Sequence, residues 1–430
     1  MGVQHAASRR ADALGAAGDE YDFFAVWHGG RSVQGRCYNR QKQKFTTLPM
    51  PSLPTPSPDA AAHSQRLQQT IRDEIAACGG WISFARYMEL ALYAPGLGYY
   101  AAGATKFGLA GDFTTAPERS HLFGRTLAKQ VAQVLAETGG DVLEAGAGSG
   151  KLACDVLLAL EKRGVLPAHY LILELSGELQ ARQRATLAAQ APHLLERVQW
   201  LEQLPPSFSG VVLGNEVLDA MPIHLVTQES GTLYERGVCI AHEKFDWQDR
   251  PLAHGALQQA AAALDLPAGY LAEINLAAPA FVASLAERME HGAMLFIDYG
   301  FPRAEYYHPQ RSAGTLMCHY RHHAHGDPFF WPGLQDITTH VDFSAIANST
   351  PDLQLLGFTT QANFLINCGI TDLLAEISPE DTARYLPLAN QAQFLLSPAE
   401  MGELFKVIAL GKGIDEPLLG FVRGGQQHRL

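Results

Sequence analysis

The chemistry concentrates in VLEAGAGSGKLACDVL, residues 142–157. Gly146, Gly148 and Gly150 stand at alternate positions between two apolar patterns, with Glu144 two residues ahead of the first glycine. That order predicts a strand, a tight turn and a helix. A phosphate-binding P-loop needs G-x-x-x-x-G-K-[ST]. Gly150 and Lys151 fit its end, but Ala145 replaces its first glycine and Leu152 its metal-binding hydroxyl. A dinucleotide fingerprint needs G-x-G-x-x-G, and its third glycine falls on Lys151. Taken alone, the glycines also fit a sharp turn with no ligand. Glu174, within LILELS, stands at the end of the next predicted strand. A carboxylate there accepts two hydrogen bonds from a ribose diol. A nucleoside held without a phosphate site points to S-adenosylmethionine.

A second set of polar residues ends the later strands. NEVLDAMP, residues 215–222, places Glu216 and Asp219 three apart, directly after Asn215. On a helical turn both carboxylates point the same way. They serve either as helix caps or as a pair around a cation, and a planar guanidinium fits such a pair. Asp298, Tyr299 and Gly300 end a further strand. Acids at several strand ends on one sheet edge favour a cavity there. CHYRHHAHGDPFFWPG (318–333) holds His319, His322, His323 and His325. No carboxylate or cysteine spacing accompanies them apart from Cys318 and Asp327, so we read the stretch as a cleft-lining loop and assign no metal.

The elements that must position these residues alternate. Strands are expected at 141–146, 170–176, 198–202, 210–216, 293–300, 353–361 and 404–412, with helical patterns between most of them. This predicts a doubly wound, mostly parallel α/β sheet. A stretch from IHLVTQ to DWQD breaks the rhythm. Its short apolar alternations around ESG and RG predict hairpins in an inserted subdomain, at about 222–290. Residues 63–140 read as a helical segment over the ligand edge. Residues 1–62, ending in PMPSLPTPSPDAAA, read as a poorly ordered extension and Pro-rich linker. The ligand-binding domain then spans 141–425.

Composition narrows the partners. The 430-residue chain has 32 Lys and Arg against 44 Asp and Glu, a net charge of −12. That disfavours nucleic acid, whose phosphates need a basic surface. The six cysteines are scattered, with no C-x-x-C, which suits a reducing compartment. No apolar run reaches membrane-span length, and the start has two arginines without an apolar region after them. The expectation is a cytoplasmic protein, or a mitochondrial-matrix one in a eukaryotic source. The sequence leaves the oligomeric state open, a homodimer included.

Eight blocks in order resemble one family. They include ALYAPGLGYY, GDFTTAPERSHLFG, LEAGAGSGKLACDVL, GNEVLDAMPIHLV, IDYGFPRAEYY, GFTTQANFLINCGI and MGELFKVIAL. The chain is identified as resembling the MidA-like methyltransferases, bacterial relatives of the mitochondrial complex I assembly methyltransferase, over about 65–425. The resemblance implies a class I methyltransferase Rossmann-like sheet, with an N-terminal helical lid, using S-adenosylmethionine. It also implies a protein substrate presenting an arginine, in the mitochondrial members a respiratory-complex subunit. Carried over by motif, Gly146, Gly148 and Gly150 approach the methionine part of the cofactor and Glu174 its ribose. Glu144 joins that set. Asp112, Phe113, Thr114 and Thr115 close over the cofactor, and Asn215, Glu216 and Asp219 face the substrate. The expected mechanism is in-line attack by a substrate nitrogen on the sulfonium methyl, with Glu216 accepting the proton. The rivals are a small-molecule N- or O-methyltransferase and an assembly factor that binds the cofactor without catalysis.

Overall fold

The computed structural model describes residues 53–102 and 115–430. Its centre is a seven-stranded path made of β1 (Asp141–Ala145), β2 (Tyr170–Leu173), β3 (Val198–Leu201), β4 (Phe208–Asn215), β5 (Met289–Phe301), β6 (Gln354–Thr360) and β7 (Phe405–Lys412). The order across the sheet is β6-β7-β5-β4-β1-β2-β3. All neighbours are parallel except β7, which runs antiparallel to both β5 and β6. This is the class I methyltransferase arrangement expected from the sequence. The chain first builds outward from β1 to β3, then returns to place β4 on the other flank of β1. The strand order therefore reverses between β1 and β4, where an open α/β sheet forms its ligand crevice.

Both faces of the sheet are covered, as continuous apolar strands require. Along β5, Ala293, Leu295 and Ile297 enter one core, with Leu127 and Val131 of the helix His121–Thr138 and Leu157 of the helix Lys151–Lys162. Met294 and Phe296 enter the opposite core, with Val282 and Leu285 of the helix Ala277–Arg288. Within the segment 63–140, His121–Thr138 is thus part of the sheet's own helical layer, because its apolar stripe faces the strands. The first described helix begins at Pro58, inside the stretch read as linker. Ser57 accepts the Ala60 N–H, and a proline at the first position costs the helix no hydrogen bond.

The inserted region forms a separate antiparallel sheet of Thr232–Ala241, His224–Glu229, Leu271–Ile274 and Lys244–Pro251, joined by Ile82–Ser83. One hairpin turns at Ser230–Gly231, as expected. The other turns at His242–Glu243, not at Arg236–Gly237. Gly237 lies inside a strand opposite Ser83, where a Cβ would come 2.2 Å from the Ile82 carbonyl oxygen. Its glycine serves close approach of that strand and makes no turn. A third, three-stranded sheet pairs Met317–Tyr320 with His323–His325 and with Asp336–Thr338. No helix among the described residues is long and apolar enough to cross a membrane.

Candidate active site

The C-terminal ends of β1, β2 and β4 open into one cavity of about 2040 Å³. Gly146 and Gly148 line it with φ of 65° and 53°, a left-handed backbone that exposes peptide groups without side chains. Gly150 is not among the lining residues, unlike the expectation. It caps the helix Lys151–Lys162 at φ 82°, and a Cβ there would come 2.9 Å from Cα of Gln183. The third glycine of the motif therefore lets the helix Gly177–Gln190 pack against the turn.

Gln183 is fully buried and ties three strand ends together. Its amide donates to the Gly148 carbonyl at 3.1 Å and to Glu174 Oε2 at 3.2 Å. Its carbonyl accepts from Trp200 Nε1 at 2.9 Å. Glu174 Oε1 accepts the Ser176 N–H at 2.8 Å. Glu174 thus lines the cavity with both carboxylate oxygens hydrogen-bonded. Sequence reading missed Gln183, although Leu179, Gln183 and Leu187 form the buried stripe of one helix and the polar member was the signal. Glu144 is buried, lines the same cavity and accepts the Tyr170 hydroxyl at 2.7 Å. Burial pushes its carboxyl up to about 7, against the Tyr170 bond.

After β4 the expected helical turn does not form. Glu216 takes φ 54°, and its N–H donates to the Ile297 carbonyl at 2.9 Å. Asp298 then gathers the next three amides. Its Oδ2 accepts the N–H groups of Val217, Leu218 and Asp219 at 3.2, 2.9 and 3.3 Å. This buried carboxylate substitutes for the missing helical bonds and aims the loop. Asn215, Glu216 and Asp219 all line the cavity. Asn215 Nδ2 donates to Glu216 Oε1 at 3.0 Å. Burial, and next the charge of Asp219, push Glu216 up to about 8, against bonds from Asn215 and the Ala116 backbone. Burial likewise raises Asp219 to about 6, opposed by the hydrogen bond from Tyr299. The Tyr299 hydroxyl donates to Asp219 Oδ2, while the buried Oδ1 has no partner.

Thr115 lines the cavity beside the short helix Ala116–Arg119. Asp112, Phe113 and Thr114 lie outside the described residues. The histidine run divides between surfaces. His319 faces the cavity, His322 sits at the tight turn at φ 63°, His323 is exposed and His325 is buried. Burial lowers His319 to about 4, so its ring is neutral.

A family model for S-adenosyl-L-methionine-dependent methyltransferases matches residues 124–359, more than half of the chain. The chain belongs to that family. A relative from Danio rerio, named protein arginine methyltransferase NDUFAF7, mitochondrial, is 30% identical over 77% of this chain and 83% of its own length. A Drosophila melanogaster protein, named as the homologue of that enzyme, is 28% identical over 92% of this chain and 97% of its own. A crystal structure of a Burkholderia thailandensis protein bound to S-adenosyl-homocysteine shares 55% identity and a TM-score of 0.85, covering 88% of this chain and 100% of that one. The chain is therefore an S-adenosylmethionine-dependent methyltransferase of class I fold. The residues present suit that cofactor: the bare left-handed turn at Gly146 and Gly148, and a cavity-facing carboxylate at Glu174 where a ribose is read, with no P-loop or dinucleotide fingerprint beside them.

Proposed function

We propose that this methyltransferase transfers a methyl group to an arginine side chain of a protein, in the cell a subunit of a respiratory complex or another assembled protein. The observation that carries this reading is the orphaned acceptor Asp219 Oδ1. The atom is buried and lacks a donor, and its residue lines the cavity beside a second carboxylate, Glu216. An unpaired buried acceptor is costly, so the site is completed by a ligand that brings donors. A guanidinium brings five in a planar fork. The relatives named as arginine methyltransferases support the same acceptor.

The bound cofactor supplies an activated methyl, and its sulfonium becomes a neutral thioether as the carbon–sulfur bond breaks. The residues of this chain do the rest. The Gly146–Gly148 turn and Glu174 orient the cofactor on one side. Asp219, fixed by Tyr299 and by the Asp298-bound backbone, accepts N–H from the guanidinium and fixes its plane. Glu216 accepts the proton that leaves the attacking nitrogen as the new carbon–nitrogen bond forms. Its raised pKa suits that step, since a base near the working pH takes a proton most effectively. Asn215 holds Glu216 in place for it. Thr115, which lines the cavity, is assigned to the cofactor side.

Glu216→Gln tests the assignment, because it keeps shape and removes charge. Methyl transfer should fall by about a hundredfold or more, as when a transition-state partner is lost, while affinity for S-adenosyl-homocysteine stays within about twofold. Loss of cofactor affinity instead would move Glu216 to the cofactor side. Near-normal transfer would remove it from the mechanism.

A further inference from the structure

The cavity has a second polar wall that the methyltransferase sheet does not provide. In the three-stranded sheet, Met317, His319, Ala324, Asp336 and Thr338 line the cavity. Their cross-strand partners agree: Met317 pairs with Thr338, and His319 pairs with both Ala324 and Asp336. Alternate residues turn the other way. Cys318 and Ile337 enter the core beneath the N-terminal helices. One face of this small sheet is therefore a built lining, with a buried carboxylate at its centre.

That wall is tied to the acids after β4 by two routes. The Thr339 N–H donates to the Asp219 carbonyl at 3.0 Å. Two stacked tyrosines form the second route, their centroids 5.6 Å apart. The Tyr93 hydroxyl donates to the Ala220 carbonyl at 3.0 Å, and the Tyr100 hydroxyl reaches both oxygens of Asp336 at 3.0 Å. Tyr93, Tyr100, Asp336 and His319 line the cavity with Glu216 and Asp219. The compartment is thus acidic on two sides and aromatic between them. Asp219 Oδ1 is buried there without a donor.

We propose that Asp336 is a substrate-binding residue, which with Asp219 on the facing loop clamps the acceptor cation from both sides while Tyr93 and Tyr100 cover its plane. The inference rests on the arginine reading above and adds a residue from a different part of the fold. A planar cation suits the gap because its N–H groups diverge toward two carboxylates and its face stacks on aromatic rings. His319, neutral and opposite Asp336, adds no competing charge.

The test uses the full chain loaded with S-adenosyl-homocysteine and titrated with N-acetyl-arginine amide in a calorimeter. Asp336→Asn should weaken the probe by about tenfold or more, the loss expected for one charge-assisted bond, with S-adenosyl-homocysteine affinity unchanged. Tyr100→Phe removes the bond between the ring and Asp336 but leaves the carboxylate charged. It should bind the probe as wild type does, or more tightly. Equal probe affinity in Asp336→Asn and wild type overturns the clamp and leaves the arginine reading standing. A loss of about tenfold or more in Tyr100→Phe shows that Asp336 only anchors a tyrosine, and overturns it too; this arm decides the matter even where Asp336→Asn does not fold. A wild-type protein that ignores the probe yet methylates an acceptor at another atom fails the arginine reading itself.

Discussion

Tyr299 donates its hydroxyl to one carboxylate oxygen of Asp219, a residue that lines the cavity, and leaves the other oxygen buried without a partner. The tyrosine is itself held, with its ring edge-on to His340 at 5.1 Å and to Phe405 at 5.5 Å. This bond sets the rotamer of Asp219 and therefore the direction of its open lone pairs. Tyr299→Phe removes the hydroxyl and keeps the packing. We expect kcat/KM for the protein acceptor to drop by about tenfold, from a charge-assisted bond worth ~1.5–3 kcal/mol. S-adenosyl-homocysteine binding, read by calorimetry, should not change. Equal loss in both measurements would contradict a role on the acceptor side.

Gln183 carries the opposite expectation. It joins the glycine turn to Glu174 and to Trp200, and none of these bonds involves the acids after β4. Gln183→Ala leaves a carbonyl, a carboxylate oxygen and an indole N–H without their partner. The cost is about 1–3 kcal/mol per unsatisfied buried group. We expect S-adenosyl-homocysteine affinity to fall by about tenfold or more and the melting temperature to fall with it. A variant that binds the cofactor normally would show that Glu174 and the turn keep their geometry unaided.

Glu216 gives a pH signature. Its folded pKa is raised to about 8 by burial and by Asp219, whereas an unfolded glutamate titrates near ~4.3. Between these values the folded state holds a proton that the unfolded state has lost. The stability from this group is full below the lower value and disappears as pH rises through the upper one. Glu216→Gln should therefore melt above wild type at about pH 9, with the gap narrowing toward about pH 5. In the wild type, kcat/KM should climb as pH rises through about 8, because the base must be ionised in the free enzyme. A flat profile across that range would exclude Glu216 as the proton acceptor.

Much of the framework was legible in the sequence because it is written in local terms. The strands β1 to β5 are apolar runs closed by polar residues, and Gly146 and Gly148 announce a turn that only bare backbone can make. Gly150 shows the limit. Its spacing joined it to the motif, but its role depends on Gln183 in a helix that arrives from elsewhere. The acids after β4 were found, while the helical turn expected to aim them was not. Asp298, some eighty positions away, supplies the hydrogen bonds that a helix would have made. Asp336 had no local signature at all. It matters only because a small sheet folds back across the cavity and turns alternate residues inward.

The most direct test of the account is the chemical identity of the methylated atom. Full-length chain is incubated with methyl-labelled S-adenosylmethionine and a protein extract from cells lacking this chain, the protein fraction is hydrolysed, and the labelled amino acids are separated. The account predicts label in methylarginine, absent when Glu216→Gln replaces the wild type. Label confined to lysine, to carboxyl esters or to small molecules outside the protein fraction would contradict it.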